Sequence, residues 1–233
     1  MKIPLCPRLQ VCCNFVSVGD RVADIGTDHG YLGIWLLKNN IASSVIAADI
    51  VPGPLQAAKR NAIKYNCADK MEFFLSDGAA SIPQDFTCMV CAGMGADTII
   101  SILENAPWLK NGHYKLILQC QSKTHLLRRY LSQNGWRIKN EQLVRDGRFL
   151  YTVMEVVLES VSLLTSGQCF LSPALRNTNA PELPEYFYRT LKNLHLSVDN
   201  KGDKENPFLS EALTELENDT TLIHLKEAYN GNS

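Results

Sequence analysis

Acidic residues at the ends of two apolar runs are the part of this chain best suited to chemistry. The first run leads into Asp24-Ile25-Gly26-Thr27-Asp28-His29-Gly30, and the second ends at Asp49. Gly26 permits a tight strand-to-helix turn, and Gly30 lets the following helix pack closely against the strand. An acid about 20 residues after such a turn accepts hydrogen bonds from ribose hydroxyls in nucleotide-binding folds. The pattern predicts a nucleotide-shaped pocket at the carboxyl edge of a parallel sheet.

The carboxylates of this turn restrict which ligand can bind there. A dinucleotide cofactor needs glycine-rich backbone and a helix N-terminus facing its pyrophosphate, and Asp24 and Asp28 would repel that phosphate. S-adenosylmethionine has no phosphate and carries a sulfonium and an ammonium, so it suits an acidic turn. The turn is similar to the first motif of the class I methyltransferases. A strand-to-helix turn that binds no ligand is the alternative.

Length and composition favour an intracellular protein. The chain has 233 residues and 45% hydrophobic content, which suits one core domain plus an appendage. No apolar run is long enough to span a bilayer and the first residues do not resemble an export signal, so we expect a cytoplasmic protein without membrane contact. The eight cysteines are scattered, as in reduced cytosolic proteins. Cys88 and Cys91 form a C-x-x-C pair, but strand alternation brings thiolates together poorly, so we predict no metal.

Basic residues are concentrated between residues 123 and 148. The net charge of the whole chain is −1, and from residue 160 onward acidic residues outnumber basic ones. A basic surface near the acidic turn would attract phosphates, whereas the alternative is a solvated face that serves solubility. The predicted phosphate-binding residues are Lys123, Arg128, Arg129, Arg137, Arg145 and Arg148.

Hydrophobic periodicity predicts alternating strands and helices. Strands are predicted at 21–25, 44–50, 71–75, 86–92 and 114–119, and helices at 31–39, 54–65, 96–103 and 124–133. Two further runs, 136–144 and 149–158, flank an Asp146-Gly147 step that favours a tight turn, so they should pair as an antiparallel hairpin. The predicted fold class is α/β, with a Rossmann-like sheet of five parallel strands followed by a hairpin.

The composition changes beyond residue 160. A Ser/Pro/Asn-rich connection passes through Pro181 and Pro184 and leads to helical stretches at 185–199 and 207–229, linked by Lys201-Gly202-Asp203-Lys204. We therefore predict a core domain at 1–160 and a helical hairpin at 161–233. This hairpin could embrace RNA, dimerise or lean on the core domain.

More specific motifs accompany the acidic turn. They are Arg8-Leu9, Phe15-Val16, the block from Val22 to Leu32, Gly53-Pro54, Ser76-Asp77-Gly78, Ala92-Gly93-Met94-Gly95, Leu116-Ile117-Leu118-Gln119 and Gly135-Trp136. Together they resemble the bacterial tRNA (adenine-N1)-methyltransferases that act on adenosine 22. The resemblance implies the seven-stranded class I methyltransferase fold, a tRNA substrate, no obligate protein partner and S-adenosylmethionine converted to S-adenosylhomocysteine. Two departures are Ala96, where another glycine is usual, and Cys120-Gln121, where Pro and often Asn are common.

The resemblance also implies roles for individual residues. Asp49 should bind the ribose hydroxyls, and Asp77 should accept a hydrogen bond from the adenine amino group. Structural alternatives are an N-cap for Asp28, a local hydrogen bond for His29 and a simple turn at Asp77-Gly78. The predicted cofactor-binding residues are Arg8, Asp24, Gly26, Asp28, His29, Gly30, Asp49, Ile50, Asp77, Gly78, Ala92 and Gly93.

The small residues after the fourth predicted strand would let a planar base approach the methyl group. N1 of adenine already has a lone pair, so alignment should supply most of the rate and no strong base is needed. The predicted acceptor-positioning residues are Gly93, Met94, His29 and Gln119, and Tyr31 could also stack on the base. Two alternatives stay open: methylation of another RNA, a protein or a small molecule, and binding of S-adenosylmethionine or tRNA without catalysis.

Overall fold

The computed structural model describes residues 2–111, 114–160, 162–199 and 206–230. Its strands are β1 (Arg21–Ile25), β2 (Ser44–Asp49), β3 (Met71–Leu75), β4 (Cys88–Met94), β5 (Lys115–Cys120), β6 (Trp136–Asp146) and β7 (Phe149–Leu158). They form one sheet in the order β3-β2-β1-β4-β5-β7-β6. The first five are parallel and β7 runs antiparallel to both β5 and β6. The predicted fold class is confirmed.

Helices cover both faces of this sheet. They are α1 (Pro7–Asn14), α2 (Tyr31–Lys38), α3 (Pro52–Lys64), α4 (Ala96–Glu104) and α5 (Thr124–Gln133). Because side chains alternate along a strand, Val22 packs into one hydrophobic cluster with α1, α2 and α3, while Ile25 packs into another with α4 and α5. Central strands buried on both faces explain the nearly continuous apolar runs in the sequence. No helix within the described ranges is both long and apolar enough to cross a membrane.

The structure confirms the predicted hairpin and contains one N-terminal helix that the sequence analysis did not predict. Asp146 pairs with Phe149, so the β6–β7 connection is a two-residue turn in which Gly147 has φ +61°, and the predicted hairpin is confirmed. Helix α1 was not predicted. Its signal in the sequence was Pro7, because proline suits the first turn of a helix.

The C-terminal segment contains more helices than predicted. They are α6 (Ser166–Phe170), α7 (Pro173–Arg176), α8 (Leu183–Asp199), α9 (Pro207–Asn218) and α10 (Ile223–Asn230). A single helix over 207–229 was wrong, because Asp219 is extended and its carboxylate accepts the Thr221 N–H at 2.9 Å. The helices share a hydrophobic cluster that includes Leu143 of β6 and Phe187 of α8. The predicted link Lys201-Gly202-Asp203-Lys204 lies outside the described residues, and the boundary at residue 160 stays a prediction.

Candidate functional site

The predicted acids meet at the carboxyl edge of the sheet. Asp24 lies near the carboxyl end of the central strand β1 and is 4% exposed. Its carboxylate accepts a hydrogen bond from the Thr27 hydroxyl at 2.7 Å. Asp49 accepts the Val51 N–H at 2.9 Å and the Asp28 N–H at 3.2 Å. These contacts orient the half-buried Asp49 carboxylate beside the turn after β1.

Left-handed backbone conformations shape that turn. Gly26 and Gly30 have φ +74° and +73°, and Asp28 has φ +50°. A Cβ on Gly30 would lie 3.0 Å from Ala58, and the Met94 methyl group occupies the place of a Cβ on Gly26. Gly30, not Asp28, is the N-cap of α2, so the N-cap alternative for Asp28 is wrong. The Asp28 side chain is exposed toward solvent and the cleft.

Two cavities lie on either side of Gly26. One, of about 220 Å³, is lined by Arg8, Asp24, Thr27, Asp28, His29, Tyr31, Ala92 and Gly93, among others. The other, of about 420 Å³, is lined by Asp49, Ile50, Asp77, Gly78, Met94 and Asp97, among others. Of the twelve predicted cofactor-binding residues, only Gly30 lines neither cavity. Gly30 is buried and instead allows the close approach of α2 to α3.

Acidic side chains and the basic side chain of Arg8 line the smaller cavity. Burial is the main reason that the pKa of Asp24 is raised to about 6; the Thr27 hydrogen bond opposes the shift, and the negative charges of Asp49 and Asp28 add to it. A cation bound beside Asp24 would lower this pKa again, because it favours the ionised carboxylate. Arg8 enters from α1 and is held by an ion pair of 3.3 Å with Asp146 at the hairpin tip. This donor and acceptor set suits a ligand with a cationic centre and a carboxylate.

The last residues of β4 line the smaller cavity. Gly93 has φ +81°, and its N–H donates to Gln119 Oε1 at 2.9 Å. Gln119 is fully buried and its amide nitrogen donates to the Cys120 carbonyl at 3.2 Å. The prediction that Gln119 contacts the acceptor is therefore wrong, because its polar atoms are used to fix Gly93.

Gln121, two residues beyond Gln119, has an exposed polar side chain beside Gly93. Its side chain is exposed, and its amide nitrogen lies 3.7 Å from the point that a Cβ on Gly93 would occupy. The signal in the sequence was a polar residue one step beyond a strand that ends at the same edge. His29 and Tyr31 also line the smaller cavity, with ring centroids 5.8 Å apart.

Two of the six predicted phosphate-binding residues do not lie on a surface beside the cofactor turn. Arg128 is buried, with 1% of its side chain exposed, and pairs with the equally buried Glu141 at 2.6 Å; its assignment to RNA binding is wrong. Arg137 pairs with Val157, which also pairs with Lys115 at the start of β5. Arg137 therefore lies at the amino edge, about 27 Å from Arg145 at the strand rise of 3.4 Å per residue, and not beside the cofactor turn.

The other basic residues lie on the cofactor side of the molecule or on α5. Lys123 forms an ion pair of 2.8 Å with Asp97, and Arg145 forms one of 2.5 Å with Glu185. Arg148 lies over the Phe149 ring at 4.9 Å, and Arg129 lies over Phe208 at 4.5 Å. A groove of about 660 Å³ runs between Lys123, the hairpin tip and α8, where Arg189 adds a cation that sequence reasoning missed.

The cysteines do not form a reactive or metal-binding cluster in the part of the chain that the structure describes. All eight are free. Cys88 and Cys91 are buried within β4, and burial raises the pKa of Cys91 to about 12. Among the described residues, no group of three or more His, Cys, Asp or Glu side chains is arranged to hold a metal ion.

Comparison with known proteins identifies similar chains. A family model described as "Methyltransferase domain" matches residues 5–154. A provisionally named tRNA methyltransferase of Mycoplasma pneumoniae is 37% identical over 195 residues, covering 80% of this chain and 88% of that protein. The tRNA (adenine(22)-N(1))-methyltransferase of Bacillus subtilis is 30% identical over 154 residues, covering 66% of this chain and 65% of that protein.

A solved structure extends the similarity to the fold. It is the crystal structure of a provisionally assigned tRNA (m1A22) methyltransferase of Streptococcus pneumoniae in complex with S-adenosyl-L-methionine. The two structures superpose with a TM-score of 0.79 at 26% identity, over 90% of this chain and 96% of that chain. The likeness therefore includes the C-terminal helices as well as the sheet.

Proposed function

Because this chain belongs to the class I methyltransferase family of the tRNA (adenine(22)-N1)-methyltransferases, we infer that it transfers a methyl group from S-adenosylmethionine to N1 of adenosine 22 in tRNA. The observation that supports this most strongly is the pair of cavities around Gly26, where buried and exposed carboxylates face the small, uncharged edge at Gly93. Cytoplasmic location and the lack of an obligate protein partner stay predictions.

The two cavities fit the two ends of S-adenosylmethionine. In the smaller cavity, Asp24 and Asp28 would face its cationic groups and Arg8 its carboxylate. In the larger cavity, Asp49 would accept the ribose hydroxyls and Asp77 the adenine amino group, with Ile50 and Met94 against the ring. The cofactor supplies an electrophilic methyl group on a sulfonium centre.

The residues of this chain contribute alignment more than proton transfer. N1 of adenine carries a lone pair and no proton, so no side chain has to act as a base before the new N–C bond forms. Gly93 has no side chain and has φ +81°, which leaves a flat opening beside the smaller cavity. Gln119 fixes that opening by accepting the Gly93 N–H. Holding the two reactants in line can supply several kcal/mol of the barrier reduction.

The RNA must present its target base without a pairing partner. N1 lies on the Watson–Crick edge, so adenosine 22 has to be unpaired or turned out of the stack. The groove lined by Lys123 and Arg189 would hold the adjoining backbone phosphates, with Arg148 next to it over the Phe149 ring. The exposed Phe149 offers a surface for base stacking. His29 and Tyr31, which line the same cavity, would contact the target base.

The test is a direct one. Unmodified tRNA transcripts are incubated with the full chain and methyl-labelled S-adenosylmethionine, digested, and the methylated nucleoside is mapped. We expect 1-methyladenosine at position 22, and no product from a matched transcript with guanosine at that position. Label at another nucleotide would refute the site of methylation. Cofactor binding with no label in any tRNA would refute catalysis.

A further inference from the structure

Gln121 stands beside the acceptor opening with an unused carboxamide. We propose that it recognises the target adenine through paired hydrogen bonds to N6 and N7, and so determines specificity for adenine over guanine. The inference rests on the proposed function, since it names the residue that would select and orient the base.

Main-chain hydrogen bonds join the backbone around Gln121 to the end of β4 and the start of α4. The Gln121 N–H donates to the Met94 carbonyl at 2.8 Å, and the Ala96 N–H donates to the Ser122 carbonyl at 3.1 Å. These two bonds join the segment after β5 to the backbone that leads from β4 into α4, next to Gly93. Main-chain contacts therefore fix the point from which the exposed Gln121 side chain extends.

The Gln121 side chain keeps its hydrogen-bonding groups available for a ligand. Within the described residues the Gln121 carboxamide makes no hydrogen bond, whereas the buried Gln119 uses both ends of its amide. The Gln121 amide nitrogen lies 3.7 Å from the Cβ position of Gly93, and the Arg8 guanidinium lies 3.9 Å from the same point on the cavity side. Gln121 thus borders the opening with one acceptor and two donors available.

The chemistry of the acceptor selects the contact. N1 must keep its lone pair free, so a donor on the Watson–Crick edge would block the reaction. A glutamine carboxamide can instead accept from the adenine N6 amino group and donate to N7. Guanine presents acceptors at both O6 and N7, which leaves the carboxamide oxygen unpaired. The same contact therefore orients N1 and rejects guanine.

The test pairs a change in the protein with a change of one atom in the base. Gln121→Ala is compared with the native chain under single turnover, on tRNA that carries adenosine or 7-deazaadenosine at position 22. Removing either partner should slow methylation by about 10- to 100-fold, the usual range for a bidentate base contact. In Gln121→Ala the 7-deaza change should cost nothing further, because that variant has already lost the N7 bond. Gln121→Ala should also narrow the difference in binding affinity between tRNA with adenosine and tRNA with guanosine at position 22.

Controls separate this contact from other roles. Gln142→Ala, on the exposed face of β6, should leave every rate unchanged. Binding of S-adenosylmethionine to Gln121→Ala, measured by calorimetry, should equal native binding. Weakened cofactor binding that explains the whole rate loss would overturn the proposal in favour of a cofactor contact. An unchanged rate in Gln121→Ala, with native methylation of adenosine 22 intact, would refute it while leaving the proposed function standing.

Discussion

Replacing Arg128 with methionine should lower the free energy of unfolding by about 3–5 kcal/mol, the range for breaking a buried ion pair on one side. The guanidinium donates to Glu141 Oε1 at 2.6 Å and to the carbonyl oxygens of Cys169 and Phe170 at 3.0 and 2.9 Å. Side-chain exposure is 1% for Arg128 and 0% for Glu141. Without the guanidinium, the buried Glu141 carboxyl would have, among the described residues, only the Ser172 hydroxyl as a hydrogen-bond donor, at 2.5 Å.

A second substitution, at Glu141, tests whether the unpaired buried charge causes the loss of stability in Arg128→Met. Adding Glu141→Leu to Arg128→Met should recover about 2 kcal/mol, because no charge then stays buried. Full recovery is not expected, since the two carbonyl oxygens of α6 lose their donor and unsatisfied buried acceptors cost about 1–3 kcal/mol. The same bonds join α5 to the C-terminal helices, so the loss should appear as loosening of that contact.

Urea unfolding followed by circular dichroism gives the free energies. Arg129→Met is the matched control, since Arg129 is exposed and loses mainly a cation–π contact with Phe208, worth about 0.5–1 kcal/mol. A loss below 1 kcal/mol in Arg128→Met would refute the argument from burial. Strict additivity of the two substitutions in the double variant would show that the charges of Arg128 and Glu141 are not coupled.

Two further predictions concern the ligands. Burial holds the pKa of Asp24 at about 6 in the free protein, and a cationic cofactor should favour the ionised carboxylate. The affinity for S-adenosylmethionine should therefore be full above pH 6 and fall about tenfold per pH unit below it, which calorimetry at pH 5 and pH 7.5 would measure in the native chain. A pH dependence that persists in Asp24→Asn would contradict the assignment. Reversing Lys123 and Arg148 to glutamate should weaken tRNA binding and reduce the slope of log affinity against log salt by about one per lost phosphate contact. Arg137→Glu, at the opposite edge of the sheet, should leave that slope unchanged, and equal effects at both edges would remove the groove from the proposal.

Local sequence patterns predicted the sheet closely. Four features illustrate this: β1 and β3 have the predicted bounds, α5 matches 124–133, and the Asp146-Gly147 step forms the hairpin turn. Apolar alternation, proline at helix starts and glycine in tight turns are properties of neighbouring residues, so one chain is enough to show them. The break at Asp219 was missed because apolar periodicity continues through it.

The placement of single polar side chains required the tertiary structure. Arg128 belongs to a basic stretch, yet α6 and β6 enclose it; Gln119 and Gln121 are two residues apart, yet one is buried and the other borders the opening. The sequence determined the order of elements and brought the acids to one edge, because strand ends in a parallel sheet share that edge. Only the folded chain decided which polar groups face solvent, a neighbour or the cleft, because burial depends on segments that are distant in sequence.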